Sequence, residues 1–179
     1  STIRDSKQMS ESVRENQFNL IINEHRVGIG FASVAEILEL NILNAALLAM
    51  KRAFENLRLN DEELSQCHVF VDGNQKIRNF TYPQTPVIKG DQLVKAISAA
   101  SIVAKVSRDR LMRQLHEEYP QYGFLEHKGY ATESHRRAIA EYGPLPEHRQ
   151  SFAGVKEYWG QGVAATNWPS GREVGSPVS

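Results

Sequence analysis

The run His68-Val69-Phe70-Val71, closed by Asp72-Gly73-Asn74, limits the fold more than any other stretch of the chain. Consecutive β-favouring residues stopped by a turn sequence predict a short buried strand. Helical patterns stand on both sides of it. Ser10 caps a predicted helix from Glu11 to about Ile22, with Val13, Phe18 and Ile21 as a loose apolar stripe. Residues 25–32 alternate and predict a further strand. Ser33 precedes Glu36 by the capping-box spacing and opens a helix through Leu47 and Phe54, with Asn41 and Asn44 marking a break. Residues 75–86 hold Pro83 and Pro86 without a period and read as loop, and Val87-Ile88 is at most a very short strand.

A long helix follows from about Leu93 to Glu118. Its first half is small (Ala96, Ser98, Ala99, Ala100, Ser101, Ala104), which lets another backbone approach closely, and it ends before Pro120. Thr132 caps a last helix that ends at Gly143-Pro144. Strands interleaved with helices predict an α/β domain over residues 1–156, followed by a loosely ordered tail over 157–179.

Size and charge narrow the function. The 179 residues are 41% hydrophobic and 23% charged, which excludes a disordered or fibrous chain and fits one domain. Lysine and arginine (21) balance aspartate and glutamate (21), so a polyanion must be met by a local basic patch. Cys67 has no cysteine to pair with, and no apolar run approaches the ~18 residues of a membrane span. A cytoplasmic protein of a reducing compartment is the expected setting.

Asp72 is the first candidate for chemistry, because a carboxylate at the end of a strand sits at the rim where open α/β sheets place ligands. A plain turn aspartate is the alternative. Asp109 is the second, if close docking of its helix brings it to the same rim; the alternative is an ion pair with Lys105 or Arg113, one helical turn away. The histidines show no His-x3-His spacing, and no phosphate-cradling Gly-rich loop occurs. Oxygen-ligated Mg²⁺ or Mn²⁺ stays open. The loop His127-Lys128-Gly129-Tyr130 places a cation beside a ring, able to meet a phosphate together with a sugar or base.

Taken together, a series of segments in one order resembles bacterial type 2 ribonuclease H, ribonuclease HII. They are Asp5-Ser6-Lys7, Asn41-Ile42-Leu43 with Ala46 to Ala53, Val71-Asp72-Gly73-Asn74, Val87-Ile88-Lys89-Gly90-Asp91, Ser98 to Lys105 with Arg108-Asp109, Tyr122-Gly123-Phe124, His127 to Tyr130, and His148-Arg149 with Phe152. The resemblance covers about residues 1–156. It implies an RNase H-like mixed sheet flanked by helices. The implied activity is endonucleolytic cleavage of the RNA strand of RNA/DNA hybrids, and 5′ to ribonucleotides embedded in duplex DNA, leaving 3′-hydroxyl and 5′-phosphate ends. Mn²⁺ or Mg²⁺ is the implied cofactor, with Asp72 and Asp109 as two of four metal-holding carboxylates. Tyr130 is implied to pack on the sugar at the cut, and Lys7, Asn74, Lys89 and Arg149 to contact the substrate backbone.

The family's opening strand, with its Asp-Glu pair and Gly-Arg-Gly loop, is expected before Asp5 and is not among these 179 residues. The chain alone is therefore expected to be incomplete at its N-terminus and inactive, the competing reading being a non-catalytic nucleic-acid-binding or interaction module.

Overall fold

The computed structural model describes residues 9–159. Helix α1 (Glu11–Glu24) starts where Ser10 accepts a hydrogen bond from the Val13 amide. Helix α2 (Val34–Glu55) carries the full capping box between Ser33 and Glu36 and is broken at Asn41, whose φ of 65° is non-helical. The Asn41 side chain accepts from the amides of Leu43 and Asn44 and restarts the helix. Helix α3 (Asp61–Gln66) leads into strand β1 (Val69–Asp72), which pairs in parallel with β2 (Gln84–Val87). The one-turn α4 (Gly90–Leu93) and the long α5 (Lys95–Glu118) follow. After a 3-10 turn come the short α6 (Phe124–His127) and α7 (Glu133–Tyr142), capped by Thr132 as expected.

The α/β class holds, with helices predominating and a small sheet. Among the described residues that sheet has two strands, both parallel, where a mixed one was expected. β2 also takes in Gln84, Thr85 and Pro86, where the prolines and the lack of a period predict loop. Pro86 is tolerated because a two-stranded sheet has only edge strands.

Residues 25–32 are not a strand. The alternation is real but serves another purpose: Val27 and Ile29 pack on Phe18, Ile102 and their neighbours between α1 and α5, while Gly28 and Gly30 face α2. A Cβ at either glycine would run into the carbonyl oxygens of Ala53 or Ala49. Side chains supply the hydrogen bonds that a neighbouring strand would give: Asn56 Nδ2 donates to the Ile29 carbonyl at 2.7 Å and Arg52 Nη1 to that of Phe31 at 2.8 Å.

Helix α5 organises the interior. Ile102, Val103 and Val106 close on Phe18 and Ile21 of α1. Its small residues divide: Ser98 is buried, whereas Ala96, Ala100 and Ala104 form an exposed face, so the close docking expected of all of them is seen only in part. A second cluster joins Leu47, Val71 and Ile77, and a third joins Tyr122, Phe124, Ala138, Ile139, Leu145 and Val155. Tyr158 and Trp159, assigned to the tail from sequence, pack on this last cluster. The remainder of the expected tail, from 160, lies outside the described residues. No helix among those described is long and apolar enough to cross a membrane.

Candidate active site

Two parallel strands ending side by side create a rim at their carboxyl ends. Asp72 is the last residue of β1 and is exposed there. The Gly73 amide donates to the Val87 carbonyl at 3.0 Å, which ties the two strand ends together. Beyond β2 the chain turns sharply at Lys89, in the left-handed region with φ 56°, and enters α4. The Gly90 amide then donates to Asp72 Oδ1 at 3.0 Å. Any side chain at Gly90 would press on Asp72 Oδ1, Val87 and Ile97, so glycine is what allows this approach.

Asp91, the acidic residue in the first turn of α4, directly follows the residue whose amide holds Asp72. Sequence reasoning passed over it. The available signal was that Asp91, like Asp72, follows a short apolar run, here with the Lys89-Gly90 turn between them. Asn74 and Lys89, both expected substrate contacts, share this rim and are exposed. Lys7 lies outside the described residues.

The expected meeting of Asp72 with Asp109 is not seen. Asp72 sits over the first turns of α5 near Ile97, and Asp109 lies more than three turns further on, ~18 Å along the axis. Asp109 is buried and already engaged: Lys105 Nζ donates to its Oδ1 at 2.6 Å, and Arg14 Nη1 stands 3.6 Å from Oδ2. This is the one-turn ion pair that the spacing offered as the alternative, joined by a second cation from α1.

Asp109→Asn is accordingly expected to cost stability. Leaving two half-buried cations without their carboxylate costs about 3 kcal/mol, or roughly 6–12 °C in melting temperature for a domain of this size. Thermal unfolding followed by circular dichroism measures it; a shift under about 1 °C would contradict the ion-pair role.

The second group of expected contacts surrounds Tyr130. Lys128 and Gly129 both take positive φ, 49° and 78°, and swing the Tyr130 ring outward to 63% exposure. Arg108 holds the loop: its guanidinium lies 5.1 Å from the centre of the Tyr130 ring and donates to the Lys128 carbonyl at 2.8 Å. Arg149 stacks on Phe152 at 4.3 Å. Tyr130, Arg108, Arg136 and Arg149 line one cavity of about 560 Å³, so the structure brings Tyr130 and Arg149 together.

Sequence spacing gave no hint of the buried histidines beneath this loop. His127 and His135 stack with ring centres 4.1 Å apart, and His135 Nε2 is 2.9 Å from His148 Nε2. Burial, then the neighbouring imidazole of His135, pushes His148 down to about 4; burial also lowers His135. Both are neutral at pH 7. Each folded value lies below the ordinary 6.5, so their contribution to stability is present above that pH and lost as pH falls toward 4. Glu147, on the same cavity, has its carboxyl raised by burial and by Glu118.

Carboxylate oxygens at an exposed rim suit a hard divalent cation in type. In number they are few, for no group of three or more potential ligands occurs among the described residues. Mg²⁺ is usually held by one or two carboxylates with its remaining positions left to water or phosphate, and Asp72 is a carboxylate of that type at this rim.

Oxygen ligands at a sheet rim, with cations and an outward ring elsewhere on the same α/β domain, define a protein equipped to meet a phosphate-bearing polymer. Comparison with known proteins makes this specific. The family model described as Ribonuclease HII matches residues 1–155. The chain is similar to the Ribonuclease HII of Cupriavidus necator, 46% identical over 179 residues, covering 99% of this chain and 74% of that protein. It is also similar to that of Shewanella piezotolerans, 49% identical over 156 residues, 87% of this chain and 74% of the relative. With the Ribonuclease HII of Synechococcus elongatus the identity is 48% over 151 residues, 84% of this chain and 68% of the relative. The chain belongs to the ribonuclease HII family, whose members are ribonuclease H hydrolases.

Proposed function

We propose that the chain carries the metal-holding and substrate-holding surface of an endonuclease that hydrolyses the RNA strand of RNA/DNA hybrids and cuts 5′ to ribonucleotides within duplex DNA. The observation that supports this reading is the rim itself, where the Gly90 amide donates to Asp72 Oδ1 and Asp91 is the next residue along the chain, in a sequence of this family. A divalent ion, Mg²⁺ or Mn²⁺, supplies Lewis acidity toward a phosphoryl oxygen and a ready source of hydroxide. Asp72 and Asp91 would hold it, with the Gly90 amide engaging Asp72 Oδ1. Lys89 and Asn74 meet backbone phosphates at the rim, and Arg149 meets them beside Tyr130. Asp109 holds the fold rather than the metal. The products carry 3′-hydroxyl and 5′-phosphate ends.

Tyr130 has a separate part in this reading. Its ring, steadied by Arg108, lies against one sugar, and a 2′-hydroxyl there separates RNA from DNA. Phosphate contacts set affinity, whereas a ring on the sugar aligns the reacting bond. Tyr130→Ala is expected to slow cleavage at a ribonucleotide–deoxyribonucleotide junction ~10²-fold while changing binding by less than about threefold. Single-turnover rates and binding isotherms at one salt concentration test it; equal losses in both would make Tyr130 a structural residue of its loop.

A further inference from the structure

We propose that His135 and His148 are positioning residues for Tyr130: a directional chain of hydrogen bonds runs from the Leu145 amide through both imidazoles to the Tyr130 carbonyl. The proposal rests on the reading of Tyr130 as a substrate contact and adds the device that holds it.

The direction follows from one fixed donor. The Leu145 amide can only donate, and it meets His148 Nδ1 at 2.9 Å. A neutral His148 then carries its proton on Nε2, which donates to His135 Nε2 at 2.9 Å. His135, accepting there, carries its proton on Nδ1, and this donates to the Tyr130 carbonyl at 3.0 Å. Every link determines the next. Both rings are more than nine-tenths buried, so water does not compete for these nitrogens.

His127 braces the other side. It takes the Gly129 amide on Nδ1 at 3.2 Å, donates from Nε2 to the Tyr122 carbonyl at 2.6 Å, and receives the Tyr130 amide on its own carbonyl at 2.8 Å. The Tyr130 backbone is thus gripped at both its amide and its carbonyl while its ring stands in solvent.

Proton uptake by either imidazole of the chain would set N–H against N–H at 2.9 Å and break it. The groups facing the pair are the imidazole of His127 and the rings of Tyr122 and Phe124. Four charged residues line the adjoining cavity: Arg108, Arg136, Glu147 and Arg149. Burial and the neighbouring imidazoles favour the neutral form of both rings.

The test begins with imidazole ¹⁵N NMR on the natural full-length protein, which needs no substrate. Near neutral pH, His148 is expected as the Nε2–H tautomer and His135 as Nδ1–H, with a ¹³C label on the Tyr130 carbonyl shifting as His148 titrates well below pH 6. An Nε2–H His135, or a Tyr130 carbonyl indifferent to that titration, overturns the proposal. His135→Phe keeps a ring but removes the donor, and is expected to lower kcat at a ribonucleotide junction about 10–100-fold with KM within about twofold. His135→Asn keeps a donor near Nδ1 and is expected to recover most of that loss. Circular dichroism confirms that both variants are folded; if His135→Phe is not, the ¹⁵N and ¹³C measurements on the unaltered protein decide. Normal turnover in folded His135→Phe overturns the proposal when Tyr130→Ala is slow. Normal turnover in Tyr130→Ala instead overturns the reading of Tyr130 as a substrate contact, and with it a positioning role for the histidines, even where the tautomers are as expected.

Discussion

With the family's Asp-Glu strand joined ahead of Ser1, Asp72→Asn is expected to lower cleavage of an RNA/DNA hybrid by about 10³-fold or more while leaving the circular dichroism spectrum unchanged. The cation contributes several kcal/mol of charge stabilisation to the transition state, and each 1.4 kcal/mol is tenfold in rate. Asparagine keeps the size of aspartate and one oxygen able to accept from the Gly90 amide, so the turn into α4 survives. What it loses is the negative charge. Raising Mn²⁺ is expected to recover part of the rate, because the variant binds metal weakly rather than misplacing the substrate. Near-normal turnover in Asp72→Asn at low metal would remove Asp72 from the reaction.

A polypeptide confined to these 179 residues is expected to show no cleavage of a single-ribonucleotide duplex above background in Mg²⁺ or Mn²⁺. Two-ion hydrolysis sets four positive charges ~4 Å apart, and Asp72 with Asp91 offers only two negative ones, so one weakly bound ion is the expected limit. The relatives named above extend beyond the matched region, which is 68–74% of their length. Sheet structure points the same way. β1 and β2 pair only with each other among the described residues, and Phe31, Ile42, Phe70, Ile88 and Leu93 are exposed. Open strand edges beside apolar surface favour self-association. Sedimentation is expected to show oligomers, and a separate peptide bearing the Asp-Glu strand is expected to restore part of the activity by pairing with the sheet. Robust cleavage by a monomer of these residues, without the peptide, would contradict this account.

Much of the helical framework was legible because local chemistry writes it: Ser10, Ser33 and Thr132 cap where their spacing says, and Asn41 breaks α2 through its own side chain. The alternation over 25–32 misled for a physical reason. Period two reports two different environments on the two sides of an extended chain, and here they are the α1–α5 core and the carbonyls of α2 rather than the faces of a sheet.

The site was half legible. Asp72 stands where a strand-terminal carboxylate should. Asp91 was hidden because its place directly after the amide that binds Asp72 depends on the left-handed turn at Lys89 and the bare backbone of Gly90, which no periodicity records. Asp109 stands late in a helix whose small first half suggested close docking toward the rim, and the resemblance added to that reading, yet its spacing from Lys105 already described its partner. The three histidines are far apart in sequence and are joined only by the packing of α6, α7 and the turn at Leu145.

The assignment of the acids is tested most directly by hybrid cleavage per folded molecule in Asp91→Asn and Asp109→Asn, side by side, in the protein carrying the Asp-Glu strand. Asp91→Asn is expected to remain as stable as the parent and to lose about 10²-fold or more of its turnover. Asp109→Asn is expected to melt earlier and, below its melting temperature, to turn over within about threefold of the parent. The opposite pattern, a stable Asp109→Asn without activity beside an active Asp91→Asn, would contradict the site described here.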